Sequence, residues 1–227
     1  MSIRIYSTSY KDPVSTEIWQ SLLSQLPVDL NQKIRKYRRW QDAHASLFGK
    51  HLLLLALRKE GLTGDLNNLQ YTPYGRPYLA GGPDFNISHS GTRVVCILGS
   101  QGGVGIDLEE IRELSIADFR DQFTEGEWRA IQQSAKPLEA FYHFWTAKEC
   151  LSKADGRGLN LPLADLRIEN NTKISLGGRV WNIRVVNGFP DYICHMASEE
   201  PVGEPLLTEL SSIEILALSM PDKTLFI

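Results

Sequence analysis

Hydrophobic and polar positions change period several times along the chain. Residues 3–8 alternate, with Ile3 and Ile5 between polar neighbours, which predicts a half-buried strand. Residues 16–26 read as a short helix that stops at Pro27. Residues 30–59 read as one long helical stretch, basic in its first half and apolar in its second, closed by Gly61 and Gly64. A loop-rich segment follows at 71–84, with three prolines and three glycines. Two short strands, 85–87 and 93–98, are expected around a polar turn, and a third at 104–108. Helices are expected at 119–133 and, more strongly, at 138–154, where Pro137 stands at the start and Gly156 just past the end. Beyond Leu166 the pattern is mostly strand, at 166–169, 179–186, 192–197 and 212–218, with turns at Gly177-Gly178 and Asn187-Gly188. Each half therefore offers a long helix and several strands. No unit repeats at a fixed period, and helices do not alternate regularly with strands, so the expected class is α+β.

Composition narrows the function. With 42% hydrophobic and 22% charged residues in 227, the chain suits one large domain or two small lobes sharing a core, not a disordered tail. The net charge of −3 argues against a general nucleic-acid binder, so any basic patch must be local. Cys96, Cys150 and Cys194 lie far apart without zinc spacing, which reads as buried, reduced thiols. No apolar run is long enough to span a bilayer, and the N-terminus lacks a signal-peptide core. A soluble cytoplasmic protein, with neither membrane nor nucleic-acid partner, is expected.

Four clusters carry possible chemistry. Asp107 and Glu109, two apart on the third expected strand, would share a face opposite Ile106 and Leu108. Adjacent carboxylates repel unless a cation lies between them. Such oxygen donors suit Mg²⁺, which leaves its other positions to water and substrate phosphates. Taken alone, a short acidic pair more often marks a solvated strand end beside a turn. Glu149 and Lys153 are i and i+4 on the strongest helix and share a face, either as a third carboxylate and a phosphate contact or as an ordinary surface pair. The segment 85–91, Phe-Asn-Ile-Ser-His-Ser-Gly, could aim Ser88, His89 and backbone N–H groups at an anion, or merely satisfy its own turn. Lys33, Arg35, Lys36, Arg38 and Arg39 put five cations in seven residues, a phosphate-holding patch or a solvated helix face.

In chain order these clusters resemble the phosphopantetheinyl transferases of the surfactin-synthetase type. A basic helix runs into Asp42-Ala43-His44, followed by the turn Tyr74-Gly75-Arg76-Pro77. Then come Phe85 to Ser90, Gly105 to Glu109, and Trp145-Thr146-Ala147-Lys148-Glu149 continuing through Lys153, Gly156, Gly158 and Leu159. Each motif is modest alone, but five in this order and spacing are specific. The resemblance implies an α+β fold duplicated about a pseudo-two-fold axis. Its lobes would be 1–103 and 104–227, with the active site in the cleft between them. It implies Mg²⁺, with Mn²⁺ as a substitute, on Asp107, Glu109 and Glu149. It implies coenzyme A as co-substrate, contacted by Lys33, Arg35, Ser46, Arg76, Ser88, His89 and Lys153. The family often has a second lysine, for the 3′-phosphate, where this chain has Leu30, so Arg35 or Lys36 is expected to substitute. Glu127 aligns with an acidic residue near the metal site of relatives.

The implied reaction moves phosphopantetheine from coenzyme A to a serine of an apo carrier protein, acyl, polyketide or peptidyl. The serine hydroxyl attacks the β-phosphate, and adenosine 3′,5′-bisphosphate leaves. Lys153 would steady or protonate the leaving phosphate, and Glu149 or a metal-bound water would take the serine proton. No Ser-His-Asp relay is needed, so Ser88 and His89 are not read as a hydrolase pair. Residues 111–123 are a candidate carrier-docking surface if Phe119 and Phe123 are exposed; the alternative places both in the core. A monomer with broad carrier choice is expected from the resemblance. A non-catalytic coenzyme A binder is the main rival, and the full set of three carboxylates and Lys153 speaks against it.

Overall fold

Residues 3–99, 102–169, 172–201 and 203–217 are described by the computed structural model. The N-terminal alternation becomes strand β1 (Arg4–Ser9), and Ser15 caps helix α1 (Thr16–Ser24) by accepting from the Ile18 amide. The basic stretch is not one helix. Helix α2 (Val28–Arg35) ends before α3 (Trp40–Lys59), with Arg39 extended between them. The break gathers Lys33, Arg35 and Lys36 at the C-terminus of α2, where the helix dipole favours cations, and spares them a helix interior.

A small ribbon, β2 (Leu69–Tyr71) and β3 (Pro77–Leu79), crosses the loop-rich segment. Strand β4 (Asp84–Ser90) pairs antiparallel with β5 (Arg93–Gly99). Ser88, His89 and Ser90 are thus strand residues, and the expected polar turn shrinks to Gly91 and Thr92. Strand β6 (Val104–Glu110) follows. The helix expected at 119–133 is split into a 3₁₀ segment, Ile116–Gln122, and α4 (Glu125–Gln133), because Thr124 and Glu127 close a capping box that starts a new helix. Helix α5 (Pro137–Asp155) ends at Gly156, whose φ of 89° is the left-handed geometry that glycine adopts without strain.

Beyond it lie β7 (Ile168–Glu169), β8 (Lys173–Leu176), β9 (Arg179–Val185), β10 (Tyr192–Ser198), β11 (Leu206–Glu209) and α6 (Ser212–Ala217). Strands β8 and β11 escape the sequence pattern. The strand expected at 212–218 is helix α6 over its described part, since Ser211 and Glu214 cap each other reciprocally; Leu218 lies outside the described residues.

The larger sheets run β11-β1-β5-β4 and β6-β10-β9-β8-β7. In each, a strand, a long helix and a hairpin follow in sequence, and the first strand sits beside the last: β1, α3, β4, β5 and then β6, α5, β9, β10. One correction concerns the boundary expected at 103/104. Strand β11 pairs parallel with β1, and Ile215 of α6 is buried in the core under α3, so residues 206–217 return to the first sheet. They cover an edge of β1 that would otherwise present unpaired backbone groups.

The layers stack helix, sheet, sheet, helix. Tyr6, Val94, Cys96 and Leu98 face α3, including Leu52 and Leu53. Ile5, Val95 and Ile97 face Val104, Ile106, Leu108, Cys194 and Met196 across the sheet interface. Cys150, Leu151 and Ala154 of α5 pack on Trp181, Ile183 and Ala197. All three cysteines are buried and unpaired. No helix among the described residues is long and apolar enough to cross a membrane.

Candidate active site

The site grows from the seam between edge strands β4 and β6. On β4, Phe85 and Ile87 point toward α3, so Asp84, Asn86, Ser88 and Ser90 point toward the second sheet. There they meet the outward backbone N–H groups of β6. Asp84 Oδ2 accepts from Val104 N at 2.7 Å, Asn86 Oδ1 from Ile106 N at 3.1 Å, Ser88 Oγ from Leu108 N at 3.3 Å, and Ser90 Oγ from Glu110 N at 3.1 Å. Side chains replace the backbone partners that an edge strand lacks.

The alternate residues of β6 face α5. A methyl group on Gly105 would run into the Cys150 carbonyl, so glycine lets α5 lie directly on the strand. That approach brings Lys153 to Asp107. Lys153 Nζ lies 2.6 Å from Asp107 Oδ1 and donates to Ser88 Oγ at 2.8 Å, while Ser88 donates to the same carboxylate oxygen at 3.0 Å. Ser90 donates to Glu109 Oε2 at 2.7 Å.

The electrostatics are those of crowded acids. Glu109 is pushed up to about 7, first by burial, then by the Asp107 charge, with Glu149 adding repulsion. Glu149 is raised by burial and then by Asp107. Burial pulls the Lys153 ammonium down, but Asp107, Glu149 and Glu109 together hold its pKa above the usual lysine value. His89, on the exposed rim of β4, is lowered by lost hydration and then by Lys153. Asp107 Oδ2 is buried and has no hydrogen-bond partner among the described residues.

No group of three or more His, Cys, Asp or Glu residues stands ready at metal-binding spacing among the described residues. The donor set nevertheless fits a hard divalent cation. An orphaned carboxylate oxygen lies beside two acids that resist ionisation because of burial and then the Asp107 charge, and such a cation would relieve both conditions.

Other expected site residues fall in different surroundings. Arg76 is fully engaged: it pairs with Asp84 at 2.8 Å and donates to the Lys153 carbonyl at 3.0 Å and the Val104 carbonyl at 3.0 Å. It ties β4, β6 and the end of α5 together beneath the acids. Arg35 bonds Asn31 at 2.7 Å and Gln20 at 2.6 Å, toward α1. Lys33 Nζ lies 5.0 Å from the centre of the Tyr71 ring, and Ser46 is half-buried on α3. Leu30 belongs to the core.

Glu127 pairs instead with Lys148, at 2.7 Å. Lys148 is wholly buried and also donates to the Gln122 and Leu163 carbonyls. Phe123 is buried against Phe141, and half-buried Phe119 packs on Phe141 and Trp145, so neither is free to form a docking face. Asp84 and Asn86 are the site-building residues that the sequence reading missed. Their signal was the two-residue alternation that continues from Asp84 to Ser90.

Three carboxylates and one ammonium bear on one another at the junction of two sheets, which defines a class of protein first: one with a charged, polar site between its sheets. Comparison with known proteins narrows the class. Residues 103–191 match the model of the 4′-phosphopantetheinyl transferase superfamily, and residues 12–101 match that of the 4′-phosphopantetheinyl transferase N-terminal region. The 4′-phosphopantetheinyl transferase Sfp of Bacillus subtilis is 30% identical over 182 residues, covering 77% of this chain and 80% of that protein. The 4′-phosphopantetheinyl transferase gsp of Aneurinibacillus migulanus is 32% identical over 162 residues, covering 70% and 68%. The chain belongs to the 4′-phosphopantetheinyl transferase superfamily, and within it to the Sfp type.

Proposed function

We propose that the chain moves the 4′-phosphopantetheine arm of coenzyme A onto a serine of apo acyl, polyketide or peptidyl carrier proteins. The observation that carries this reading is the Ser88–Asp107–Lys153 contact set beside Glu109 and Glu149. Asp107, Glu109 and Glu149 would hold a divalent cation, Mg²⁺ or Mn²⁺, which when bound supplies charge neutralisation at the diphosphate. Lys153 swings its ammonium from Asp107 to the phosphate that leaves as adenosine 3′,5′-bisphosphate. Glu149, on the same face of α5 as Lys153, would take the proton of the attacking serine hydroxyl. Ser88 and His89 orient the phosphates from β4. Arg76 acts from behind, fixing the carbonyl of Lys153 and therefore the end of α5.

The shared order of strand, helix and hairpin in the two sheets supports a duplicated fold with the site at the lobe junction. The first lobe is then 1–103 joined by 206–217, and the second is 104–205. A cytoplasmic monomer with broad carrier choice completes the reading, and size-exclusion chromatography checks the monomer. The deciding experiment incubates the protein with coenzyme A, Mg²⁺ and several apo carriers. A mass gain of one phosphopantetheinyl group on a carrier serine is expected. No gain on any carrier would overturn the proposal.

A further inference from the structure

On helix α5, Tyr142, Thr146, Glu149 and Lys153 follow at alternate spacings of four and three residues, so they share one face. Tyr142 and Thr146 are buried. The Tyr142 hydroxyl donates to the Arg112 carbonyl at 3.1 Å and accepts from the Arg112 amide at 3.3 Å. Arg112 is the second residue past β6, so this clamp fastens the helix to the exit of the strand that bears Asp107 and Glu109. One turn on, Thr146 gives its single hydroxyl proton to the Tyr142 carbonyl at 2.7 Å, and therefore accepts the Nδ1 proton of His195, also at 2.7 Å. His195 stands opposite Asp107 in the β10–β6 register. The other end of the helix is held where Arg76 reaches the Lys153 carbonyl and where Gly105 admits the Cys150 carbonyl. Glu149 lies between these two sets of anchors.

We propose that Tyr142 is a positioning residue: its hydroxyl seats α5 on β6 and so sets the spacing of Glu149 from Asp107 and Glu109, on which affinity for a divalent cation depends. The inference rests on the reading of those three acids as cation ligands. Asp107 and Glu109 are fixed to one strand by its pairing with β10, whereas Glu149 reaches them only as the helix allows. Apolar packing is non-directional and tolerates small slides of a helix on a sheet. The paired bonds to Arg112 are directional and do not. A cation that demands near-ideal octahedral geometry feels such a slide before the core does. Tyr142→Phe keeps the buried ring and removes both bonds.

The test follows Mn²⁺ binding by EPR in the presence of coenzyme A, against a blank of coenzyme alone, and then the Mg²⁺ dependence of holo-carrier formation. It compares wild type and Tyr142→Phe with Asp107→Asn, which locates the signal at the acids. Ser211→Ala, which loses a helix cap in the other core, controls for lost stability. Thermal melts check that each variant is folded. Tyr142→Phe should bind Mn²⁺ roughly tenfold more weakly, as when a group that orients a metal ligand is lost, while Ser211→Ala matches wild type and Asp107→Asn shows no binding. The Mg²⁺ concentration for half-maximal rate should rise by the same factor, with the rate at saturating Mg²⁺ within about threefold of wild type. Unchanged Mn²⁺ affinity in folded Tyr142→Phe overturns the proposal, and so does an equal weakening in Ser211→Ala. If wild type binds no Mn²⁺, or Asp107→Asn binds it as wild type does, the reading of the acids as ligands fails and the proposal with it.

Discussion

Removing the Glu127 carboxylate by Glu127→Ala should unfold the protein far more readily than any surface change. Lys148 has no exposed side-chain surface, and the Glu127 side chain has only 9%. Two carbonyls, of Gln122 and Leu163, complete the shell around the ammonium, and the Phe123 ring lies 5.4 Å away. An alanine at 127 leaves that ammonium buried without its counter-charge and also removes the carboxylate that receives the Thr124 amide. Breaking a buried pair from one side costs about 3–5 kcal/mol. At about 2–4 °C per kcal/mol for a chain of this size, the melting temperature should fall by roughly 6–20 °C. Urea denaturation at neutral pH measures the free energy, and calorimetry the midpoint. Glu127→Ala/Lys148→Met should recover much of the loss, because no buried charge then remains. A single variant within about 1 kcal/mol of wild type would refute the reasoning. Loss of transfer activity at unchanged stability would return Glu127 to the site itself.

Lys153→Met should lower the rate of holo-carrier formation by about 10²–10³-fold, as expected when a preorganised cation is removed from a phosphoryl-transfer site; a rate within threefold of wild type would count against its role. Asn86→Leu leaves the Ile106 amide unpaired at the sheet junction and should cost about 1–3 kcal/mol, with faster hydrogen exchange at that amide; unchanged exchange would mean that the side chain does not cap it. His195 is buried beside Thr146 and held near 3 by burial and then by His143, whereas an unfolded histidine titrates near 6.5. The unfolded chain therefore binds more protons below about 6.5, and His195 withdraws stability as pH falls, by about 2 kcal/mol at pH 5. Glu109, raised to about 7, opposes this trend because its folded form takes up protons first. The readout is therefore the difference between wild type and His195→Asn, which should move by about 2 kcal/mol in favour of the variant from pH 7.5 to 5; a constant difference would refute it.

Helix α5 was legible because its apolar positions, Pro137 and Gly156 all agree on one element. The acids on β6 were legible for the same reason, since a two-residue period fixes which side chains share a face. The strand β4 was harder. Its Asp84, Asn86, Ser88 and Ser90 look like a solvent face or a turn, yet all four oxygens that cap β6 belong to half-buried or buried side chains packed on another strand. Polar alternation reveals a face but not what covers it. Arg76 shows the same limit: a guanidinium in a basic turn gives no local sign that Asp84 and two distant carbonyls will claim it. The capping pairs Thr124–Glu127 and Ser211–Glu214 were written in the sequence at the required spacing and were overridden by broader pattern reading.

The β4–β6 seam couples stability to the chemistry through register. Because Ser88 caps Leu108 and Ser90 caps Glu110, the same two hydroxyls necessarily reach Asp107 and Glu109, one residue back and on the adjoining face. A slip of two residues would set Asn86 or Ser90 where Ser88 stands, leave an amide at one end of the row without its oxygen, and strip Lys153 of the hydroxyl it shares with Asp107. With each unpaired buried amide costing about 1–3 kcal/mol, register is held by the fold whether or not a ligand is present. Parting the sheets along this line would break every one of those caps and is therefore costly. The contacts of Lys153 with Ser88 and Asp107, by contrast, can be exchanged without moving a strand.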